Sequence, residues 1–181
     1  MNTLIKFKKN ILTKSFNSKV STLVNNIIKN ESNDLLIHNN GNVCRQDSEW
    51  VTFKHDFAPG IYLRQMTMKA EAVVIGAVHK RDHAWFLLKG YVTVVSEDGE
   101  QDYEAPYLGF SKSGIQRVIY AHEESVFQNV FKNPKDIKDI DLLQEYNCCI
   151  NKEKYTEYVN NKWNNNFDRF SMPRVDSSCI K

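Results

Sequence analysis

Between positions 50 and 131 the chain is cut into short apolar or alternating runs, with turn residues every few positions. This spacing confines it to an antiparallel sandwich or jelly-roll barrel. The run WVTFKHDF alternates, Ala58-Pro59-Gly60 makes a turn, and Ile61, Leu63, Met66 and Met68 continue in β fashion. The continuous apolar run 72–78 is short enough to be a buried strand, and runs 84–88 and 91–95 flank Gly90. Glu97-Asp98-Gly99-Glu100 is a hairpin signal, runs 103–110, 117–121 and 125–131 complete the set, and Asn133-Pro134 closes the β region.

The flanks have a different periodicity. Residues 1–45 form a polar, basic arm in which Lys6, Lys8, Lys9, Lys14, Lys19 and Lys29 precede the first acid, Glu31. Val20, Leu23, Val24, Ile27 and Ile28 recur there at helical spacing after Ser18 or Ser21, which predicts one amphipathic helix. Its lysines and apolar stripe lead us to expect that the arm docks on a partner rather than on its own barrel. Beyond Pro134 a helix is expected over 135–146, carried by Ile137, Ile140, Leu142 and Leu143, and a weaker one over 152–163. The tail from Asn164 is expected to be mobile or tied to a partner. The organisation is therefore an arm (1–45), a barrel (46–133), and C-terminal helices with a tail (134–181).

Composition removes several function classes. A net charge of +2 over 181 residues gives no reason for the whole chain to bind nucleic acid, although the N-terminal lysines could touch it locally. Cys44, Cys148, Cys149 and Cys179 lack CxxC spacing, so free thiols in a reducing compartment are expected. No apolar run has the length of a membrane span or forms a signal-peptide core. No P-loop, nucleophile with a neighbouring base, or paired-carboxylate spacing is present, and no catalytic residue is assigned.

Three phrases carry a family resemblance: GAVHKRDHAWFLLKG (76–90), APYLGFSKSG (105–114) and YAHEES (120–125). Together they resemble the two-motif signature of the cupin superfamily, over roughly residues 50–131. The implied fold is mainly β: a single cupin-type jelly-roll barrel, with the helical arm before it and helices after it. With FAPGIYLRQMTM and KGYVTVVSEDGE in the same order, the chain also resembles small cupin-like proteins encoded by tailed bacteriophages.

The resemblance implies where a metal would sit. Gly90 matches the closing glycine of the first motif, which places His83 at its glutamate position, His79 at its second histidine and Ala77 at its first. In the second motif Lys112-Ser113-Gly114 replaces Pro-x-Gly, and Arg117 stands at the histidine. Lys69-Ala70-Glu71-Ala72 stands where a glycine-bearing turn is usual. Iron, nickel, zinc or manganese would be held by His79, His83 and His122, with Gln116 and Tyr120 as further candidates to complete the set. Arg117, Gln116 and Tyr120 are the candidate ligand-binding residues. Arg117 would either clamp an anion or pair with Glu104 or Asp82.

With Ala77 and Arg117 at ligand positions, the expectation is no resident metal and a non-enzymatic phage structural or assembly protein. Such a protein would self-associate, with the 50–57 segment as pairing edge, and would meet other phage structural proteins through its arm and tail. It would reside in the infected host's cytoplasm or in the virion, with no membrane contact. The alternatives are a metal-dependent oxygenase or isomerase, and a binding module for a small anionic molecule.

Overall fold

A computed structural model describes residues 16–29 and 49–164, the side chains of 17, 24, 26–29 and 162–164 excepted. Expectations for the rest of the arm, Cys44 and the tail with Cys179 lie outside the described residues. In chain order the elements are α1 (Phe16–Lys29), β1 (Val51–Ala58), β2 (Gly60–Met68), β3 (Val73–Ile75), β4 (Val78–His79) and β5 (His83–Lys89). There follow β6 (Tyr91–Ser96), β7 (Gly99–Glu104), β8 (Tyr107–Ser111), β9 (Val118–Ala121) and β10 (Ser125–Asn133). The described chain ends with α2 (Ile140–Asn147), β11 (Cys148–Cys149) and α3 (Lys152–Asn164).

One sheet has the order β1-β2-β10-β5-β8, the other β3-β9-β6-β7, and β11 pairs with β4. All pairings are antiparallel. Setting β1 and β4 aside, the order β2-β10-β5-β8 over β3-β9-β6-β7 is that of a double Greek-key jelly roll, as the strand spacing predicts.

The sheets bury Met66, Met68, Trp85, Leu87, Val92 and Phe127 between them. Full burial of Met68, Leu87 or Phe127 stabilises the fold by about 1.5–3 kcal/mol per side chain. Two glycines make the packing possible. A Cβ on Gly109 would lie 2.2 Å from the Trp85 indole, and Gly90, at φ +90°, passes within 2.6 Å of the Glu124 carbonyl by the same measure. The turn before β3 is made without glycine: Glu71 takes φ 68°, and its N–H donates to the Ala121 carbonyl at 2.7 Å.

The structure corrects several readings. The 72–78 run is two strands, because β4 leaves its sheet to pair with β11. The 103–110 run is also two, broken at Ala105-Pro106. The helix expected from 135 starts at Ile140, where the Asp139 carboxylate accepts from the N–H groups of Asp141 and Leu142.

The largest correction concerns the arm. Val20 and Leu23 of α1 are buried against Val95, Val118 and Tyr120, on the outer face of the smaller sheet, so the helix docks on its own barrel. At the open end of the barrel, Leu143 of α2 is fully buried against Tyr62 and Phe131.

Candidate functional site

Strand alternation divides the barrel interior into a dry half and a polar half. β5 sends His83, Trp85 and Leu87 to one face, and β9 sends Ile119 and Ala121 inward with Arg117 one step before them. Leu87 and Ala121 lie in the apolar core, whereas His83 and Arg117 meet near the end capped by α2. His83 stands opposite Ser111 of β8, and Asn129 of β10 stands opposite Arg64 of β2. The cluster is closed off by β11, whose Cys148 faces His79 in register.

The hydrogen-bond pattern fixes the state of His83. Its Nδ1 lies 3.3 Å from the Arg81 carbonyl, so Nδ1 carries the proton. Its Nε2 then accepts from Arg117 Nη2 at 3.1 Å. Burial, followed by the neighbouring Arg117 charge, pushes the imidazole down to about 4, so it is neutral at pH 7. Half-buried His79, whose ring centroid is 4.1 Å from that of His83, is held well below the ordinary range by burial, then by His83, Arg117 and Arg64. Phe131 packs on both rings, at 5.5 Å and 4.9 Å. The Cys148 Sγ lies 3.6 Å from His79 Nδ1, and burial raises this thiol to about 11, which leaves it protonated.

Arg117 is the anomaly of the site. Its residue is 8 % exposed and its guanidinium lies 5.5 Å above the Trp85 ring. Burial lowers it to about 10, so it remains charged at pH 7. Among the described residues it has no carboxylate partner. Glu104 and Asp82 do not pair with it, and Asp82 Oδ1 instead accepts from the Ser113 N–H at 2.7 Å. Ser111 is 5 % exposed, and its Oγ has no hydrogen-bond partner among the described residues.

The other sequence candidates lie elsewhere. Tyr120 points out of the barrel into the cluster under α1. His122 is on that outer side too: its Nε2 is 2.6 Å from Thr93 Oγ1, its ring is stacked on Tyr91 and it meets the edge of Tyr120. Gln116 points away from the interior and ties β9 to the end of β3, donating through Nε2 to the Gly76 carbonyl at 2.9 Å. The structure therefore brings together His79, His83 and Arg117, and does not bring Gln116, Tyr120 or His122 to them.

This set does not fit a metal ion. Both nitrogens of His83 are engaged, a guanidinium occupies the place of a third ligand, and its charge repels a cation. No group of three His, Cys, Asp or Glu side chains that could hold a metal occurs among the described residues. Sequence reasoning missed Ser111, Arg64, Asn129, Phe131 and Cys148. Ser111 had a signal, since Leu108 and Phe110 alternate with Gly109 and Ser111, but only the register with β5 shows which pair faces inward.

Strand order and interior together define a jelly roll of cupin-like fold with a buried arginine in its interior. No protein-family model and no curated protein matches the chain. Among solved structures it is similar to salicylate 1,2-dioxygenase from Pseudoaminobacter salicylatoxidans, at 9 % identity and a TM-score of 0.44, over 49 % of this chain and 26 % of that one. A cupin superfamily protein from Desulfitobacterium hafniense matches at 9 % identity and 0.43, over 49 % of this chain and 83 % of that one. A cupin-2 domain protein from Shewanella frigidimarina matches at 12 % identity and 0.39, over 45 % and 80 %. The chain spans about a quarter of the length of the dioxygenase. Likeness at this level transfers no activity.

Proposed function

We propose that this protein is a binding module for a small oxyanion, held inside the jelly roll by Arg117. The observation that carries the reading is a buried, charged guanidinium with no carboxylate partner among the described residues. A charge left in that state is costly, and an anionic ligand would offset the cost. The neighbourhood is rich in donors. Arg117 has five N–H groups, one of which is given to His83, and the Ser111 hydroxyl has no partner among the described residues. Neutral His83 acts as the acceptor that orients the guanidinium.

The test is thermal denaturation of the full chain with formate, acetate, sulfate or phosphate against chloride at matched ionic strength, for wild type and Arg117→Gln. At a hundred times its Kd a ligand stabilises by about 2.7 kcal/mol, which for a domain this size raises Tm by about 5 °C or more. At least one oxyanion should do so in wild type and not in the variant. Equal shifts in both proteins would remove Arg117 from the account.

A second reading, self-association of the barrel as a scaffold, is favoured by one observation. β8 ends its sheet among the described residues, and its outward side chains are apolar: Phe110 is 80 % exposed and Leu108 49 %. The apolar exposure thus falls on β8, whereas β1, the strand expected to pair, carries a Lys54–Asp56 ion pair. Light scattering of wild type and Phe110→Ser at micromolar concentration tests it. A dimer lost in the variant supports the reading, and a wild-type monomer sinks it.

A further inference from the structure

We propose that the ligand is a monocarboxylate on a small apolar body, its carboxylate received by Arg117 and the Ser111 hydroxyl. The inference rests on the oxyanion reading above and narrows it by charge, by shape and by the rings around the donors.

Arg117 is a buried positive charge with no carboxylate partner among the described residues. His83 accepts from Arg117 through Nε2, which an imidazolium could not do, so it adds no positive charge there. Arg64 is engaged with its own neighbours: it donates to Gln144 Oε1 at 3.2 Å and lies 4.6 Å over the Phe53 ring. Asp82 is turned to the Ser113 amide. A monoanion neutralises Arg117, whereas a dianion such as sulfate would leave a buried negative charge, which is as unfavourable as the positive one.

Shape selects among monoanions. The guanidinium carbon lies 5.5 Å over the Trp85 ring and one N–H group is given to His83, so further N–H groups remain, and a carboxylate matches a guanidinium fork with two parallel hydrogen bonds. A carboxylate oxygen has a second acceptor direction, and the Ser111 hydroxyl, without a partner among the described residues, can donate to it. The other neighbours are mainly ring faces. Trp85 meets Tyr103 edge-on at 5.1 Å, Phe131 covers His79 and His83, and the Tyr103 hydroxyl donates to Gln101 at 3.0 Å. The part of the ligand beyond its carboxylate is therefore apolar.

Isothermal titration of the full chain with propionate, sulfate and phosphate at matched ionic strength tests this, using wild type and Ser111→Ala. The alanine removes only an unpartnered hydroxyl, so the ligand-free variant should melt with wild type, which serves as the folding control. Propionate should bind at least about tenfold more tightly than either inorganic anion, a gap of about 1.4 kcal/mol, and Ser111→Ala should weaken it several-fold. Tighter binding of sulfate or phosphate would overturn the carboxylate assignment and leave the oxyanion reading standing. Absence of binding by all three would sink both. Unchanged propionate affinity in Ser111→Ala would overturn the role of the hydroxyl.

Discussion

Replacing Arg117 by methionine distinguishes an arginine that waits for a ligand from one that holds the fold together. The lowering of the guanidinium to about 10 corresponds to roughly 3 kcal/mol of unfavourable burial of its charge at pH 7. Methionine removes that cost and keeps most of the apolar volume above Trp85. Against this stand the hydrogen bond to His83, worth about 1 kcal/mol with its acceptor then orphaned, and the cation–π contact, worth about 0.5–2 kcal/mol. The opposing contributions nearly cancel. Ligand-free Arg117→Met should therefore unfold in urea within about 1 kcal/mol of wild type or above it. A structural arginine, paired with a carboxylate, would cost about 3–5 kcal/mol on removal. Equilibrium urea unfolding at pH 7 in chloride decides between them. A loss of 3 kcal/mol or more, with an unchanged m-value, would refute the unpaired-charge argument.

Leu23→Ala should destabilise the protein by about 2–5 kcal/mol in the same assay, because α1 buries this side chain against the smaller sheet; a loss under half a kcal/mol would restore the picture of an arm independent of the barrel. His83 has a folded-state value of about 4 against an ordinary 6.5, so the unfolded chain binds its proton first. The stability it contributes is present above pH 6.5 and is lost as pH falls to about 4, up to roughly 3 kcal/mol. His83→Gln should flatten that part of the stability–pH curve, and an unchanged slope would contradict the assigned neutral state. Gly109→Ala places a methyl 2.2 Å from the Trp85 indole and should cost about 1–3 kcal/mol with a changed Trp fluorescence spectrum; a neutral effect would mean that β8 and β5 are less closely apposed.

The sequence discloses the architecture well where period and turns agree. Most strands begin or end within two residues of their runs, and Gly90 occupies the left-handed turn that the motif requires. The hairpin signal is also realised: Ser96 pairs with Gly99, which has φ +123°. The failures occur where tertiary pairing overrides local pattern. Nothing in Cys148-Cys149 announces a strand, because its pairing with Val78 and His79 is a contact across the chain. An amphipathic stripe such as that of α1 states that a face will be buried and cannot say against what.

The candidate site was legible in part, for the same reason. Alternation from β9 puts Arg117 inward and His122 outward, and the structure follows it. The partner of Arg117 was not legible. Glu104 and Asp82 are near it in motif order, but Asp82 is spent on a turn amide while a neutral histidine accepts from the guanidinium. Which small residue of β8 faces that pair depends on a register set by the Gly109–Trp85 contact.

The most direct measurement is a crystal structure of the full chain grown with propionate and chloride as the only anions. Two carboxylate oxygens about 2.8 Å from the Arg117 guanidinium, one of them also within reach of Ser111 Oγ, are the predicted result. A carboxylate of the chain itself paired with Arg117, or a metal ion between His79 and His83, would contradict the account.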